Sequence, residues 1–221
     1  YYFALRAEDN DGNSSAQPSG DGATHTVLDA TAPTVGAVSA PAYTKTASVS
    51  VTYTAAADTG GSALKTVHLW AKKDSGSWTD TGLTQTAASG SFTCPLASGD
   101  GAYYFAAVAK DNAGNTSAAA SGNGAASTVL DTSVPVAPTV APPSAAKSMP
   151  VSITYTGASD AGSGLKTVHL WARKDAGVWA GTGVTSTAAS GSFSYTATTS
   201  GSYEFAAVAE DNAGNISPTP S

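Results

Sequence analysis

The stretch Gly101-Ala-Tyr-Tyr-Phe-Ala-Ala-Val-Ala-Lys-Asp-Asn-Ala-Gly-Asn115 returns almost unchanged as Gly201-Ser-Tyr-Glu-Phe-Ala-Ala-Val-Ala-Glu-Asp-Asn-Ala-Gly-Asn215. A third version opens the chain, Tyr1-Tyr-Phe-Ala-Leu-Arg-Ala-Glu-Asp-Asn-Asp-Gly-Asn13. Each copy has a period of two: Tyr103, Phe105, Ala107 and Ala109 fall on one side, and Tyr104, Ala106, Val108 and Lys110 on the other. Side chains alternate across a strand, so the spacing predicts a half-buried strand with its aromatic side inward. In the third copy the outward side takes Glu204 and Glu210, which supports the assignment. The Asp-Asn-Ala-Gly-Asn that follows is turn chemistry, because Asn and Gly tolerate left-handed backbone angles.

Working outward, the duplication extends over the whole chain. Asp9, Asp111 and Asp211 recur at a period of roughly 100 residues, too long for a solenoid unit and suited to one independent domain per repeat. Leu28-Asp29-Ala-Thr-Ala-Pro33 returns as Leu130-Asp131-Thr-Ser-Val-Pro135, and the pair Trp70 and Trp78 returns as Trp171 and Trp179. Within the complete repeat, Pro33 to Pro41 reads as a short leading strand at a sheet edge. Ser48 to Thr54 alternates with Val49, Val51 and Tyr53 inward, and Val151, Ile153 and Tyr155 take those places in the next repeat. Lys65 to Lys73 follows with Val67, Leu69 and Ala71 inward, Asp74-Ser-Gly-Ser turns the chain toward Trp78, and Ser91 to Cys94, residues 101–110 and Ser127 to Leu130 complete the set. Six to seven short strands per ~100 residues with turns between them predict an all-β fold of tandem immunoglobulin-like antiparallel β-sandwiches. Trp78 and Trp179 are expected in the cores.

Composition narrows the function classes. Only 12% of the 221 residues are charged and the formal net charge is −6, with no Lys/Arg cluster, so neither nucleic acid nor an anionic membrane is an expected partner. No run of ~18 apolar residues predicts membrane insertion. Cys94 is the single cysteine, which excludes an intrachain disulfide and a Cys-based metal site. It sits in the inward register of Phe92 and reads as a small buried hydrophobe. The chain opens on Tyr within a strand pattern, as a piece of a longer or processed chain does.

The succession of strand, Asp58-Thr-Gly-Gly-Ser62 or Asp160-Ala-Gly-Ser-Gly164 loop, Val-His-Leu-Trp strand, second Trp and terminal Asp-Asn-Ala-Gly-Asn resembles the bacterial immunoglobulin-like and fibronectin type III-like repeats of secreted and surface proteins. The likeness covers residues 29–221 and part of 1–28. It implies an extracellular stalk, spacer or adhesive module and no enzyme, with neighbouring repeats or subunits of a surface assembly as partners. The expected division is the final two strands of a truncated repeat in 1–28, a complete domain in 29–131, and a domain lacking its last strand in 132–221. Excision from a longer tandem array is the simpler account of these ends. Strand donation between chains is the other, although the first hairpin would duplicate the aromatic strand at Tyr203 to Ala209.

In immunoglobulin-like topology the chain entry, the loop after the second strand and the loop between the last two strands share one pole. That gathers Asp29, Asp58, Asp111, Asn112 and Asn115 in one domain, and Asp131, Asp160, Asp211, Asn212 and Asn215 in the next. Calcium takes six to eight oxygens from carboxylates and carbonyls, so each set is a candidate Ca²⁺ site at an inter-domain junction. The alternative is that Asp111 and Asn115 cap a hairpin turn and Asp29 starts a turn before Pro33. His68 with Trp70, and His169 with Trp171, fall on the outward side, where they would stack on a glycan or meet a subunit, or else pack across the strand against Val108 and Val208. No Ser-His-Asp set, hydrolytic carboxylate pair or phosphate-cradling loop is recognisable. Asn13-Ser-Ser, Asn115-Thr-Ser and Asn215-Ile-Ser match the N-glycosylation acceptor pattern. Two function classes follow: a non-catalytic structural module, and a carbohydrate- or ligand-binding accessory module of a secreted hydrolase.

Overall fold

The computed structural model describes residues 1–22 and 24–221; residue 23, inside the truncated first repeat, lies outside the described residues. Every named element is a strand: β1 (Tyr2–Phe3), β2 (Thr24–His25), β3 (Val38–Ser39), β4 (Tyr43–Thr44), β5 (Ser48–Tyr53), β6 (Leu64–Lys73), β7 (Thr79–Gln85) and β8 (Gly90–Pro95). There follow β9 (Gly101–Asp111), β10 (Ala126–Leu130), β11 (Thr139–Ala141), β12 (Val151–Thr156), β13 (Leu165–Lys174), β14 (Ala180–Ser186), β15 (Gly191–Tyr195) and β16 (Tyr203–Asp211).

Two sandwiches result. In the first, the sheet β3-β5-β8 faces the sheet β4-β10-β9-β6-β7. In the second, β11-β12-β15 faces β14-β13-β16. The arrangement is an immunoglobulin-like β-sandwich in each case. The alternation read from the sequence carries the cores. Val49, Val51, Tyr53, Val67, Leu69, Phe92, Tyr103 and Phe105 are all at most 5% exposed and form one cluster across the two sheets. Ile153, Tyr155, Val168, Leu170 and Phe193 form its counterpart. Each fully buried aliphatic or aromatic side chain contributes roughly 1.5–3 kcal/mol through the water it leaves. Aromatic stacking of Tyr53 on Phe92 and of Tyr155 on Phe193 ties the paired strands β5–β8 and β12–β15 together.

Three differences from the sequence reading have physical causes. Strands β7 and β14 went unforeseen because their pattern is Thr- and Gly-rich and their pairing to β6 and β13 is interrupted between His68 and Trp70 and between His169 and Trp171. There the hydroxyl of Thr81 donates to the Leu69 carbonyl at 2.7 Å, and Thr182 donates to Leu170 at 2.8 Å. The sheets are not wholly antiparallel, since β10 runs parallel to β4. Trp78 and Trp179 are not core residues. They lie against the outward face, with the Lys72 ammonium 5.5 Å from the Trp78 ring and the Arg173 guanidinium 4.8 Å from the Trp179 ring.

The second sandwich is less complete. Nothing among the described residues takes the place of β10 beside β16, and Tyr203 and Phe205 are partly exposed where Tyr103 is 5% and Phe105 0% exposed. Among the described residues of 1–28 the strand pairing is Tyr2↔His25 and Phe3↔Thr24 with an isolated bridge Glu8↔Ser14, and the side chains of Tyr1, Phe3 and Leu5 are exposed. Urea unfolding should therefore proceed in two steps, the second sandwich first. Leu170→Ala should lower the earlier step and Leu69→Ala the later one, each by about 2–5 kcal/mol; a single transition shifted equally by both would contradict the division.

Candidate functional site

The Asp-Asn-Ala-Gly-Asn turn builds itself. Asp111 accepts the N–H groups of Gly114 at 2.6 Å and Asn115 at 2.8 Å on one carboxylate oxygen, and the Asn115 side-chain amide at 2.7 Å on the other. Asp211 repeats this with the Asn215 main-chain and side-chain N–H groups at 2.8 and 2.7 Å. Asp9 does the same with Asn13, at 2.8 and 2.9 Å, although no sandwich surrounds it. The turn is thus a local product of the sequence, as its Asp and Asn chemistry predicts.

The sandwich adds two more carboxylates to that turn. Asp29 enters from the chain leading into β3 and accepts the N–H of Thr31 at 2.9 Å and of Ser62 at 3.0 Å, while Asp58, in the loop after β5, accepts the N–H of Gly60 at 3.1 Å. Carboxylate oxygens of Asp29, Asp58 and Asp111 lie within 4.8 Å of one another, and those of Asp131, Asp160 and Asp211 form the matching trio. In the second trio Asp131 accepts from Ser163 at 2.6 Å and Ser133 at 3.0 Å, and Asp160 from Gly164 at 2.7 Å. Gly60 and Gly162 are part of the design, since a Cβ at either would overlap the carboxylate of Asp29 or Asp131. Ser62, Ser163 and these two glycines were absent from the sequence-level set. Their signal was the Gly-Ser pairing that follows Asp58 and Asp160.

The asparagines play a different part from the one their oxygens suggested. Asn112 donates its side-chain amide to the carbonyls of Ser62 and Ala63, and Asn212 to those of Ser163 and Gly164, which laces the two loops together. Asn115 and Asn215 donate to the main-chain carbonyls of Asp29 at 3.0 Å and Asp131 at 2.9 Å. These bonds hold the entering chain in place from the far end of the sequence.

Electrostatically each trio is a concentration of negative charge. Hydrogen bonds from Ser62 and the Thr31 amide hold Asp29 below the usual carboxylate range. Burial pushes Asp111 upward, but the bonds from Asn115 and Gly114 outweigh it, and burial of Asp131 is likewise outweighed by Ser163 and Ser133. The ion pairs among the described residues include none of the six aspartates. A set of hard oxygens without nitrogen or sulfur suits Ca²⁺ or Mg²⁺ rather than zinc. With Ca–O distances of about 2.3–2.6 Å, two oxygens up to roughly 5 Å apart can share one ion, so the spacing of each trio fits.

The second trio lies at the meeting of the two sandwiches. Asp131 follows the last residue of β10 directly. Its N–H donates to the Thr44 carbonyl of the first sandwich at 3.0 Å, while its carboxylate and carbonyl are bonded to Ser163 and Asn215 of the second. Around it, Thr132 donates N–H and hydroxyl to the Asp100 carboxylate at 3.1 Å, and the Lys45 ammonium donates to the Gly214 carbonyl at 2.8 Å.

The histidine–tryptophan positions lie on the outer faces of the sheets that contain β6 and β13. His68 sits opposite Val108, and Trp70 opposite Ala106. His68 is engaged by Asp80 at 3.1 Å and Thr66 at 3.1 Å, and His169 by Glu210 at 3.2 Å. Trp70 and Trp171 are half-buried.

No family model matches the chain. A stretch of 128 residues is 36% identical to Exoglucanase B of Cellulomonas fimi, covering 54% of this chain and 10% of that protein, so the chain spans about a tenth of the length of that relative. Among solved structures, the chicken CNTN1 FN1-FN3 domains align with a TM-score of 0.48 at 13% identity, covering 85% of this chain and 64% of that one. A cytokine receptor complex aligns with a TM-score of 0.31 at 13% identity over 82% of this chain and 98% of that one.

The depressed carboxylates set a direction with pH. A group whose folded pKa lies below its unfolded value stabilises the fold above the unfolded pKa, and loses that contribution as pH falls through the folded one. In the absence of metal, the urea midpoint should hold from neutrality to about pH 5 and drop below about pH 4. Asp111→Asn, with no such carboxylate to titrate, should flatten the drop in the first sandwich.

Proposed function

We propose that the chain is a non-catalytic extracellular spacer whose sandwiches follow one another end to end, a segment of a stalk or a building block of a filament or surface layer. The observation that carries this reading is Asp131. A single residue is hydrogen-bonded into both sandwiches, so no free linker separates them. A linker of several unbonded residues would let the bodies swing; a shared residue bonded on both sides transmits orientation and load. Asp29 is held in the same way by Ser62 and Asn115, which makes the entry to the first sandwich a copy of the junction that follows.

Calcium fits this role. A divalent ion among Asp131, Asp160 and Asp211, or among Asp29, Asp58 and Asp111, would neutralise three carboxylates that lack a basic partner among the described ion pairs, and would stiffen the loops that grip the entering chain. Asn112, Asn115, Asn212 and Asn215 would then position the loops by their donated amides, with their oxygens or water completing the shell.

A second reading draws on the similarity to Exoglucanase B. As an accessory module of a secreted hydrolase, the chain would offer Trp70 and Trp171 to a glycan from the outer faces of its sheets, beside His68 and His169. Retention on insoluble glucan that is lost in Trp70→Ala and Trp171→Ala favours this reading over the spacer.

Small-angle scattering on the chain should give an elongated particle, and Asp131→Ala should broaden its distance distribution; a compact side-by-side pair overturns the spacer. Calcium at about a hundredfold over its Kd should raise stability by about 2.7 kcal/mol, and Asp131→Asn with Asp211→Asn should abolish the gain in the second sandwich. An unchanged midpoint removes calcium from the proposal and leaves the spacer standing.

A further inference from the structure

We infer that the glycan-facing surface belongs to the second sandwich alone: a neutral pyranose ring stacks on Trp171, and the pairs Glu210–Lys166 and Glu204–Arg173 hold its hydroxyls. The inference rests on the accessory-module reading. It goes further by choosing between Trp70 and Trp171, which the repeat makes formally equivalent.

The choice follows from what stands beside each indole. Opposite Trp70, across β6 and β7, lies Asp80, whose carboxylate is 3.1 Å from His68 Nδ1 and accepts the Gly82 N–H at 2.8 Å. The other ring nitrogen of His68 meets the Thr66 hydroxyl at 3.1 Å, so both nitrogens are already engaged within the first sandwich. Opposite Trp171 the place of Asp80 is taken by Gly181, which is exposed and sets no side chain at the ring edge. Its other neighbour across the sheet is Ala206, also short. The indole of Trp171 is therefore approachable from the β14 side without displacing a charge.

The strand on the far side of Trp171 differs as well. Glu204 and Glu210 stand where the first sandwich has Tyr104 and Lys110. Glu210 accepts the Lys166 ammonium at 2.7 Å on one carboxylate oxygen and lies 3.2 Å from His169 Nε2 through the other. Glu204 accepts the Arg173 guanidinium at 2.7 Å. His169 and Arg173 are two residues to either side of Trp171 on β13, about 7 Å away in each direction. The ring thus sits between two groups of donors and acceptors. In the first sandwich the counterpart of Arg173 is Lys72, which is taken up by aromatic rings, 5.5 Å from Trp78 and 5.0 Å from Tyr104.

A pyranose offers an apolar C–H face rimmed by hydroxyls. An indole covers such a face, while carboxylates accept from the hydroxyls and Lys or Arg donate to them. Hydrogen bonds to charged partners are the stronger kind. Partly exposed ion pairs of this sort add little to stability, so their clustering around one half-exposed ring is better matched to binding. The two carboxylates are balanced by Lys166 and Arg173. A uronate would bring an unpaired negative charge beside Glu204 and Glu210, and a neutral sugar brings none.

Affinity electrophoresis of the intact chain through gels carrying a soluble neutral glucan, with polygalacturonate as the charged comparison, tests this assignment. Retardation is expected in the neutral glucan only. Trp171→Ala should weaken it about tenfold, in line with the loss of one stacked ring, and Trp70→Ala should leave it unchanged. Gly181→Asp restores the side chain of the first sandwich at a site where a Cβ meets only the Trp171 ring, at 3.9–4.0 Å. It should weaken retardation while the urea midpoint of the second sandwich holds, which separates binding from folding. Retardation that follows Trp70, falls equally with both tryptophans, ignores Gly181→Asp or is stronger in polygalacturonate overturns the inference and leaves the accessory-module reading standing. No retardation in neutral glucan overturns that reading and the inference with it.

Discussion

Asp131 is bonded to two bodies at once, and most of what the molecule can do follows from that constraint. Its main-chain N–H closes the last rung of β10 against Thr44, and its carbonyl and carboxylate are already part of the next sandwich. Sheet pairing fixes the position and direction of that N–H, and the loops at Ser163 and Asn215 fix the rest. The orientation of one sandwich relative to the next is thereby set by hydrogen bonds to buried groups, which are costly to leave unmade. Asp100 with Thr132 and Lys45 with Gly214 flank this contact and resist rotation about it.

The same residue concentrates charge. Bringing Asp131 to the pole of the second sandwich places it beside Asp160 and Asp211, and although burial opposes it, the hydrogen bonds from Ser163 and Ser133 favour the ionised form of Asp131. The fold therefore gains a rigid junction and a negatively charged pocket by one placement. Gly162 is demanded by that placement, because any side chain there would occupy the space of the Asp131 carboxylate. Gly60 stands in the same relation to Asp29.

What was legible in the sequence follows the range of the interactions. Strands β5, β6, β9 and their repeats announced themselves because one face is buried and the period is two. The convergence of Asp29, Asp58 and Asp111 could be anticipated only through a topology, since three distant segments supply them. Strands β7 and β14 were hidden by polar composition and an interrupted register, and β4 by being two residues long. Trp78 and Trp179 were misplaced because size and hydrophobicity suggest a core. Their rings instead cover outward-facing Lys72 and Arg173, whose charge attracts the ring face. The donation of amide groups by Asn112 and Asn115, in place of oxygens, depends on carbonyls about fifty and eighty residues away and has no local signature.

Three copies of one strand and turn, at three stages of completion, separate local from long-range causes. The turn is the same in all of them: Asp9, Asp111 and Asp211 each take the main-chain and side-chain N–H groups of the asparagine four residues on. It needs no sandwich. The aromatic strand does. Tyr103 is buried where β10 pairs alongside its strand, Tyr203 is partly open where no described strand does so, and Tyr1 and Phe3 are exposed with only a two-residue pairing beside them. The apolar alternation that identifies this strand is thus a demand for partners rather than a guarantee of burial.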